Sequence, residues 1–102
     1  MSGKNKYYSL GDMSYSFGDE TEAFGGLSLA TGFQTKSYGH GAFSTGYLTK
    51  AFGSYSISEG NETSALGAYS HAAGIRSEAR GTGAFSIGAE TNAKGAYSFA
   101  AG

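Results

Sequence analysis

Glycine recurs at every seventh position from Gly11 to Gly102 without a miss, 14 times in succession. A globular core has no use for such a clock, whereas a backbone that repeats itself does, so the chain reads as an array of short, equivalent structural units. Residues 11–102 form the repeat domain, and residues 1–10 form a lead-in with room for part of a first strand.

Counting from each glycine, the third residue is always Ser, Thr or Ala and the fifth is always Ala or Ser, as in Ser28 and Ala30 after Gly25 or Thr63 and Ala65 after Gly60. Two small positions separated by one residue point to the same side of a strand. The unit is therefore a short strand with one small-residue face, followed by a turn that glycine makes at least cost. A helical heptad is excluded, because its constant positions would be bulky and apolar. Glycine on every second helical turn would also cost ~1 kcal/mol each.

Small inward residues demand a narrow interior, and two strands back to back give a flattened coil of 14 residues. The units alternate in the way such a coil requires. In those after Gly11, Gly25, Gly39, Gly53, Gly67, Gly81 and Gly95, the fourth position reads Tyr15, Leu29, Phe43, Ile57, His71, Phe85 and Phe99. We call these the apolar units. Their second position (Met13, Leu27, Gly41, Tyr55, Tyr69, Gly83, Tyr97) is expected to extend the same apolar strand face. In the charged units between them, the second and fourth positions carry Glu20, Glu22, Lys36, Lys50, Glu62, Arg76, Glu78 and Glu90. These eight form the candidate exposed ligand face.

Stacked at ~4.8 Å per coil, the apolar units build a stripe about 29 Å long. Exposed on a monomer, such a stripe is an aggregation hazard. Buried, it supplies the core that 18 glycines and an alanine-rich interior cannot. The expectation is a homo-oligomer of closed symmetry with Tyr15, Leu29, Phe43, Ile57, His71, Phe85 and Phe99 around its axis.

The remaining composition narrows the function. A formal net charge of −1 offers no footprint for nucleic acid or an anionic membrane. There is no cysteine, hence no disulfide or thiolate chemistry. No apolar run reaches the ~20 residues of a membrane span, and no signal peptide follows Met1. The chain stops in phase with its repeat at Gly102, which reads as a fragment of something longer.

Strands such as Ala84-Phe85-Ser86-Ile87-Gly88 and Ala42-Phe43-Ser44-Thr45-Gly46 alternate with Gly88-Ala89-Glu90-Thr91-Asn92-Ala93-Lys94-Gly95. This pattern resembles the YadA-like head of trimeric autotransporter adhesins, over essentially residues 11–102. The resemblance implies an all-β, left-handed parallel β-roll with 14 residues per coil, homotrimeric, with the apolar strands facing the trimer axis. It also implies a bacterial cell-surface location and attachment to host extracellular matrix or cells, with no cofactor and no direct membrane insertion by this segment. The family's signal peptide, neck, stalk and anchor are absent from this chain. Where the family's repeat binds matrix, Asn precedes the apolar strand. The equivalent residues here are never Asn, so a collagen-type ligand is not carried over. Phage and tailocin fibres carry similar rolls, and a fibre segment is the alternative reading.

Other constellations have plain readings beside functional ones. His71 lies in the apolar stripe, where three copies would meet at the axis and hold an anion, a metal or a pH-sensitive contact. The plainer reading is a polar residue bonded to water or tyrosine. His40 follows a glycine and is expected to be exposed. Asp12, Asp19, Glu20 and Glu22 suggest calcium, but the repeated Gly-Gly-x-Gly-x-Asp signature is missing, and a solvated face explains them. Glu22 and Lys36, one coil apart, are expected to form a weak cross-coil pair. Tyr55, Tyr69 and Tyr97 suit a carbohydrate platform or, more simply, packing at a subunit seam. Phe24, Tyr38, Phe52 and Leu66 form a second stripe, ending in Arg80 and Lys94, that suits a ligand strip or another subunit contact. Asn61-Glu62-Thr63 fits a glycosylation sequon of a kind that Thr-rich repeats generate by chance. Ice binding would need outward Thr ladders, and only Thr31 and Thr45 stack that way. No catalytic set converges, no metal site is expected, and the chain does not read as an enzyme.

Overall fold

The computed structural model describes the strand Tyr7–Ser9 and residues 13–102. Gly11, where the glycine series starts, and Asp12 of the acidic group lie outside the described residues. In chain order the strands are β1 (Tyr7–Ser9), β2 (Tyr15–Asp19), β3 (Thr21–Ala23), β4 (Leu29–Phe33), β5 (Lys36–Ser37), β6 (Phe43–Tyr47) and β7 (Lys50–Ala51). They continue as β8 (Ile57–Asn61), β9 (Ser64–Ala65), β10 (His71–Ile75), β11 (Glu78–Ala79), β12 (Phe85–Ala89), β13 (Asn92–Ala93) and β14 (Phe99–Ala101).

The strands sort by unit type into two seven-stranded parallel sheets. The apolar units form β2-β4-β6-β8-β10-β12-β14, and the charged units form β1-β3-β5-β7-β9-β11-β13. Register partners are 14 residues apart throughout, for example Leu29↔Phe43 and Lys36↔Lys50. The chain is thus a parallel β-solenoid of about six turns with 14 residues per turn, as the glycine spacing implied. The lead-in supplies a rung of its own, since Tyr7–Ser9 pairs with Thr21–Ala23.

The interior is built from small residues alone. Among the described residues nine alanines and thirteen serines and threonines are buried, and no side chain larger than threonine is fully buried. Hydroxyls facing one another across the coil pair off, as in Ser44–Thr49 at 2.6 Å, Ser58–Thr63 at 2.7 Å and Ser86–Thr91 at 2.7 Å. This lets a polar interior satisfy itself without water. Ala30 and Ala72 stand where the serine would be: opposite Ala72, Ser77 donates to the Ala73 carbonyl at 2.7 Å, but opposite Ala30, Thr35 Oγ1 is buried with no partner, as is Ser98 Oγ farther along.

The seven-residue clock turns out to have two physical causes. Gly32, at the end of an apolar strand, has φ +119°, and a Cβ there would lie 2.1 Å from the carbonyl oxygen of Gly46. Gly39, after a charged strand, needs no unusual φ, but its Cβ would lie 2.0 Å from the carbonyl oxygen of Gly53. The first glycine serves conformation and spacing together, the second spacing alone.

The turn expected at glycine also takes a second residue, in the left-handed conformation. It lies two positions after each glycine, at Met13, Leu27, Tyr55, Tyr69 and Tyr97 on one edge and at Glu20, Gln34, Leu48, Glu62, Arg76 and Glu90 on the other, with φ from 53° to 61°. Only Gly41 and Gly83 take this place as glycines. A bulky residue in this region costs roughly 1–2 kcal/mol. The stack compensates, because from Gln34 onward each such N–H reaches the coil before it, as Tyr55 N–H does to His40 O at 2.7 Å and Glu62 N–H to Tyr47 O at 2.7 Å.

Candidate interaction surfaces

Since the interior holds only small residues, every large side chain must point outward, and the surfaces carry whatever specificity the chain has. On the apolar sheet, Tyr15, Leu29, Phe43, Ile57, His71, Phe85 and Phe99 form one unbroken column in register. Ile57 and Phe43 are 37% and 38% exposed in the single chain, so the column is a surface feature and not part of the coil's own core. Phe85 and Phe99 stack at 5.1 Å, and the His71 ring lies 4.7 Å from Phe85.

His71 has a partner that the sequence reading missed. Its Nε2 lies 2.9 Å from Glu59 Oε2, an ion pair when the imidazole is protonated. Glu59 is twelve residues earlier, the diagonal neighbour on the rung below, because register places His71 beside Ile57. A spacing of fourteen less two was the available signal.

The residues expected to widen the apolar strand face do not lie on it. Met13, Leu27, Gly41, Tyr55, Tyr69, Gly83 and Tyr97 occupy the left-handed turn at the sheet's border. There Tyr55 and Tyr69 stack at 5.6 Å, and the exposed His40 ring meets Tyr55 edge-on at 5.5 Å. The missing side chain of Gly41 is replaced by the Tyr55 ring, since a Cβ at Gly41 would lie 2.7 Å from it. The Thr31↔Thr45 stack is real but stops at two rungs, between Phe17 and Glu59.

The eight residues of the candidate ligand face fall into two columns. Glu22, Lys36, Lys50 and Glu78 lie on the charged strands, while Glu20, Glu62, Arg76 and Glu90 occupy the left-handed turn at the opposite border. The C-terminal part of this surface is internally paired: Arg76 reaches Glu90 at 2.8 Å and Arg80 reaches Glu78 at 3.1 Å. In the N-terminal part, Gln34 donates to Glu20.

The expected Glu22–Lys36 pair is not formed. The two residues are register partners, but the Tyr38 hydroxyl donates to Glu22 instead, and no ion pair joins Glu22 to Lys36 among the described residues. Tyr38 sits in the stacked series Phe24–Tyr38–Phe52, with both centroid separations at 4.8 Å. Burial, the hydrogen bond to Glu22 and that carboxylate's charge push the Tyr38 pKa up to about 12. The hydroxyl, protonated at neutral pH, occupies a carboxylate oxygen of Glu22, and the shift extends that protonation into alkaline solution.

Among the described residues no three His, Asp or Glu side chains gather as a metal site requires. Of the acidic group, Glu20 and Glu22 are engaged by Gln34 and Tyr38, and Asp19 Oδ1 is buried without a partner. The sequon threonine, Thr63, is fully buried and bonded to Ser58 and to the Glu59 carbonyl. Fold and surfaces together define a parallel β-solenoid repeat protein with one apolar and one charged broad face. No protein-family model matches the chain, and neither does any curated protein.

Proposed function

We propose that this chain is a head segment of a trimeric bacterial surface adhesin: a left-handed β-roll whose apolar sheets turn toward a shared three-fold axis. Its charged sheets then face outward, toward host matrix or cells. The observation that carries the reading is the outward column from Tyr15 to Phe99, continuous over seven rungs, whereas the stripe beside the charged strands, Phe24 to Leu66, spans only four. A solenoid with no side chain beyond threonine in its interior gains most from burying that column against copies of itself. Three copies on one axis present each outward site three times, so weak contacts add by avidity.

Sedimentation equilibrium over a range of concentrations tests this reading. A stable mass three times that of the chain is expected. A well-folded monomer overturns it and makes the apolar column itself the binding surface.

A further inference from the structure

One stretch of the charged sheet differs from the rest in both charge and chemistry. The segments Phe33-Gln34-Thr35-Lys36-Ser37-Tyr38 and Tyr47-Leu48-Thr49-Lys50-Ala51-Phe52 share one pattern, an aromatic ring, a lysine three residues on, and a second ring two beyond. They are successive coils, in register through Lys36↔Lys50. The coils on either side break the pattern, with Glu22 and Ser64 in the lysine position.

In three dimensions the two copies make a strip. Phe33 and Tyr47, the last residues of the apolar strands β4 and β6, stack at 5.1 Å where the chain turns toward the charged sheet, Tyr38 and Phe52 stack at 4.8 Å just past the charged strands, and the lysines stand on β5 and β7 in between. Like charges directly opposite one another on neighbouring strands are destabilising. Neither lysine has an ion-pair partner among the described residues, whereas Arg76 and Arg80 both do. The one carboxylate in register beside them, Glu22, is held by the Tyr38 hydroxyl. Two lysines on neighbouring strands, whose backbones lie about 4.8 Å apart, are thus left for an anion from outside.

The aromatic borders say which kind of anion. One face of each ring is turned to its stacked neighbour, with interplanar angles of 5° and 9°, and the ring edges line the sides of the stacks. Ring edges carry the positive end of the quadrupole and favour oxygen-rich partners. Successive bases of a single strand need a run of free ring faces, which rings stacked on one another do not offer, and two lysines are few for a polyphosphate backbone. We propose that this strip binds a linear anionic saccharide, with sulfate or carboxylate groups on Lys36 and Lys50 and the sugar ring edges and hydroxyls along Phe33, Tyr47, Tyr38 and Phe52. The proposal rests on the reading of the chain as an attachment module and names the ligand class for it.

The test is calorimetric titration of the full chain with a heparin octasaccharide, an octagalacturonate, neutral maltooctaose and a short single-stranded DNA. At least one anionic saccharide is expected to bind, more weakly as salt rises, with sulfated and carboxylated ligands distinguished by which arm responds. The double variant Lys36→Gln/Lys50→Gln should weaken that binding about tenfold or more, with its circular dichroism and melting unchanged. Lys94→Gln removes an exposed lysine on a coil without the aromatic pattern and should change affinity less than about twofold. Should the double variant misfold, Lys50→Gln alone serves, with a smaller loss expected. The proposal is overturned if neither anionic saccharide binds, if maltooctaose or DNA binds as tightly, or if Lys94→Gln weakens binding as much as the double variant. Adhesion of chain-coated beads to cells and matrix is measured in parallel. Beads that adhere while both saccharides fail overturn the ligand class alone, and beads that do not adhere overturn the attachment reading.

Discussion

The two sheets of this solenoid share one interior and differ in everything that faces out. Inward, both present the same alphabet: Ala72 and Ser86 on the apolar strands, Ala79 and Ala93 on the charged ones, all buried. Outward, the apolar strands carry a column of large hydrophobic side chains on mostly five-residue strands, while most charged strands are two residues long and carry Glu, Lys, Ser and Asn. The difference teaches that the inward positions specify the coil and the outward ones specify its partners. A repeat fold can therefore vary one set without disturbing the other.

The sharpest way to break that division is to violate the shared interior. Ala72→Leu on the apolar sheet and Ala79→Leu on the charged sheet should be equally damaging, each costing about 3 kcal/mol or more because neither layer has space to yield. Loss of a cooperative thermal transition in both variants is the expected readout. If one sheet tolerates the leucine, the interiors are not equivalent. Next in size are outward changes, which should separate the sheets. Phe85→Lys is expected to dissociate the oligomer while leaving the β-sheet circular dichroism intact, whereas Glu78→Lys should leave the mass unchanged. A Phe85→Lys protein that sediments like wild type would place the assembly face elsewhere.

Smaller effects sharpen the picture rung by rung. Ala30→Ser restores the missing partner of Thr35 Oγ1, in the position where Ser44 meets Thr49, and should stabilise the chain by about 1 kcal/mol. A lower denaturation midpoint for this variant would mean that the rung has no space for a hydroxyl. The smallest effect is pH-dependent. Tyr38 keeps its proton to about 12 when folded but loses it near 10 when unfolded, so the unfolded state binds fewer protons between those values. Stability should fall as pH rises through that window, and denaturant titrations should show a shallower fall for Tyr38→Phe than for wild type.

Much of this was legible before any coordinates. The 14-residue coil, the inward Ser/Thr/Ala positions and the apolar column from Tyr15 to Phe99 follow from spacing, because a strand's two-residue alternation and a fixed repeat leave little freedom. The turn was legible only in part. Glycine was expected to make it, and Gly32 and Gly46 do take a positive φ, yet Tyr55, Glu62 and Arg76 also adopt one, two residues after a glycine. Nothing in those side chains advertises a positive φ. The coil-to-coil hydrogen bonds impose it, and they exist only once the coils are stacked. That displacement also moved Tyr69 and Tyr97 from the strand face to its border.

Charge partners were the least legible part. Glu22 faces Lys36 in register and still bonds Tyr38, and His71 finds Glu59 on a diagonal. Spacing names the neighbours available to a side chain on adjacent rungs, but the one it chooses depends on side-chain reach, burial and competing donors. By itself the sequence determined the coil, its interior and the identity of its two faces, since each of these is a property of the repeat. The tertiary structure alone decided which residue bears the turn's strain, why glycines such as Gly32 and Gly39 leave no space for a side chain and which charges are left unpaired. Those depend on contacts between coils, and no single unit contains them.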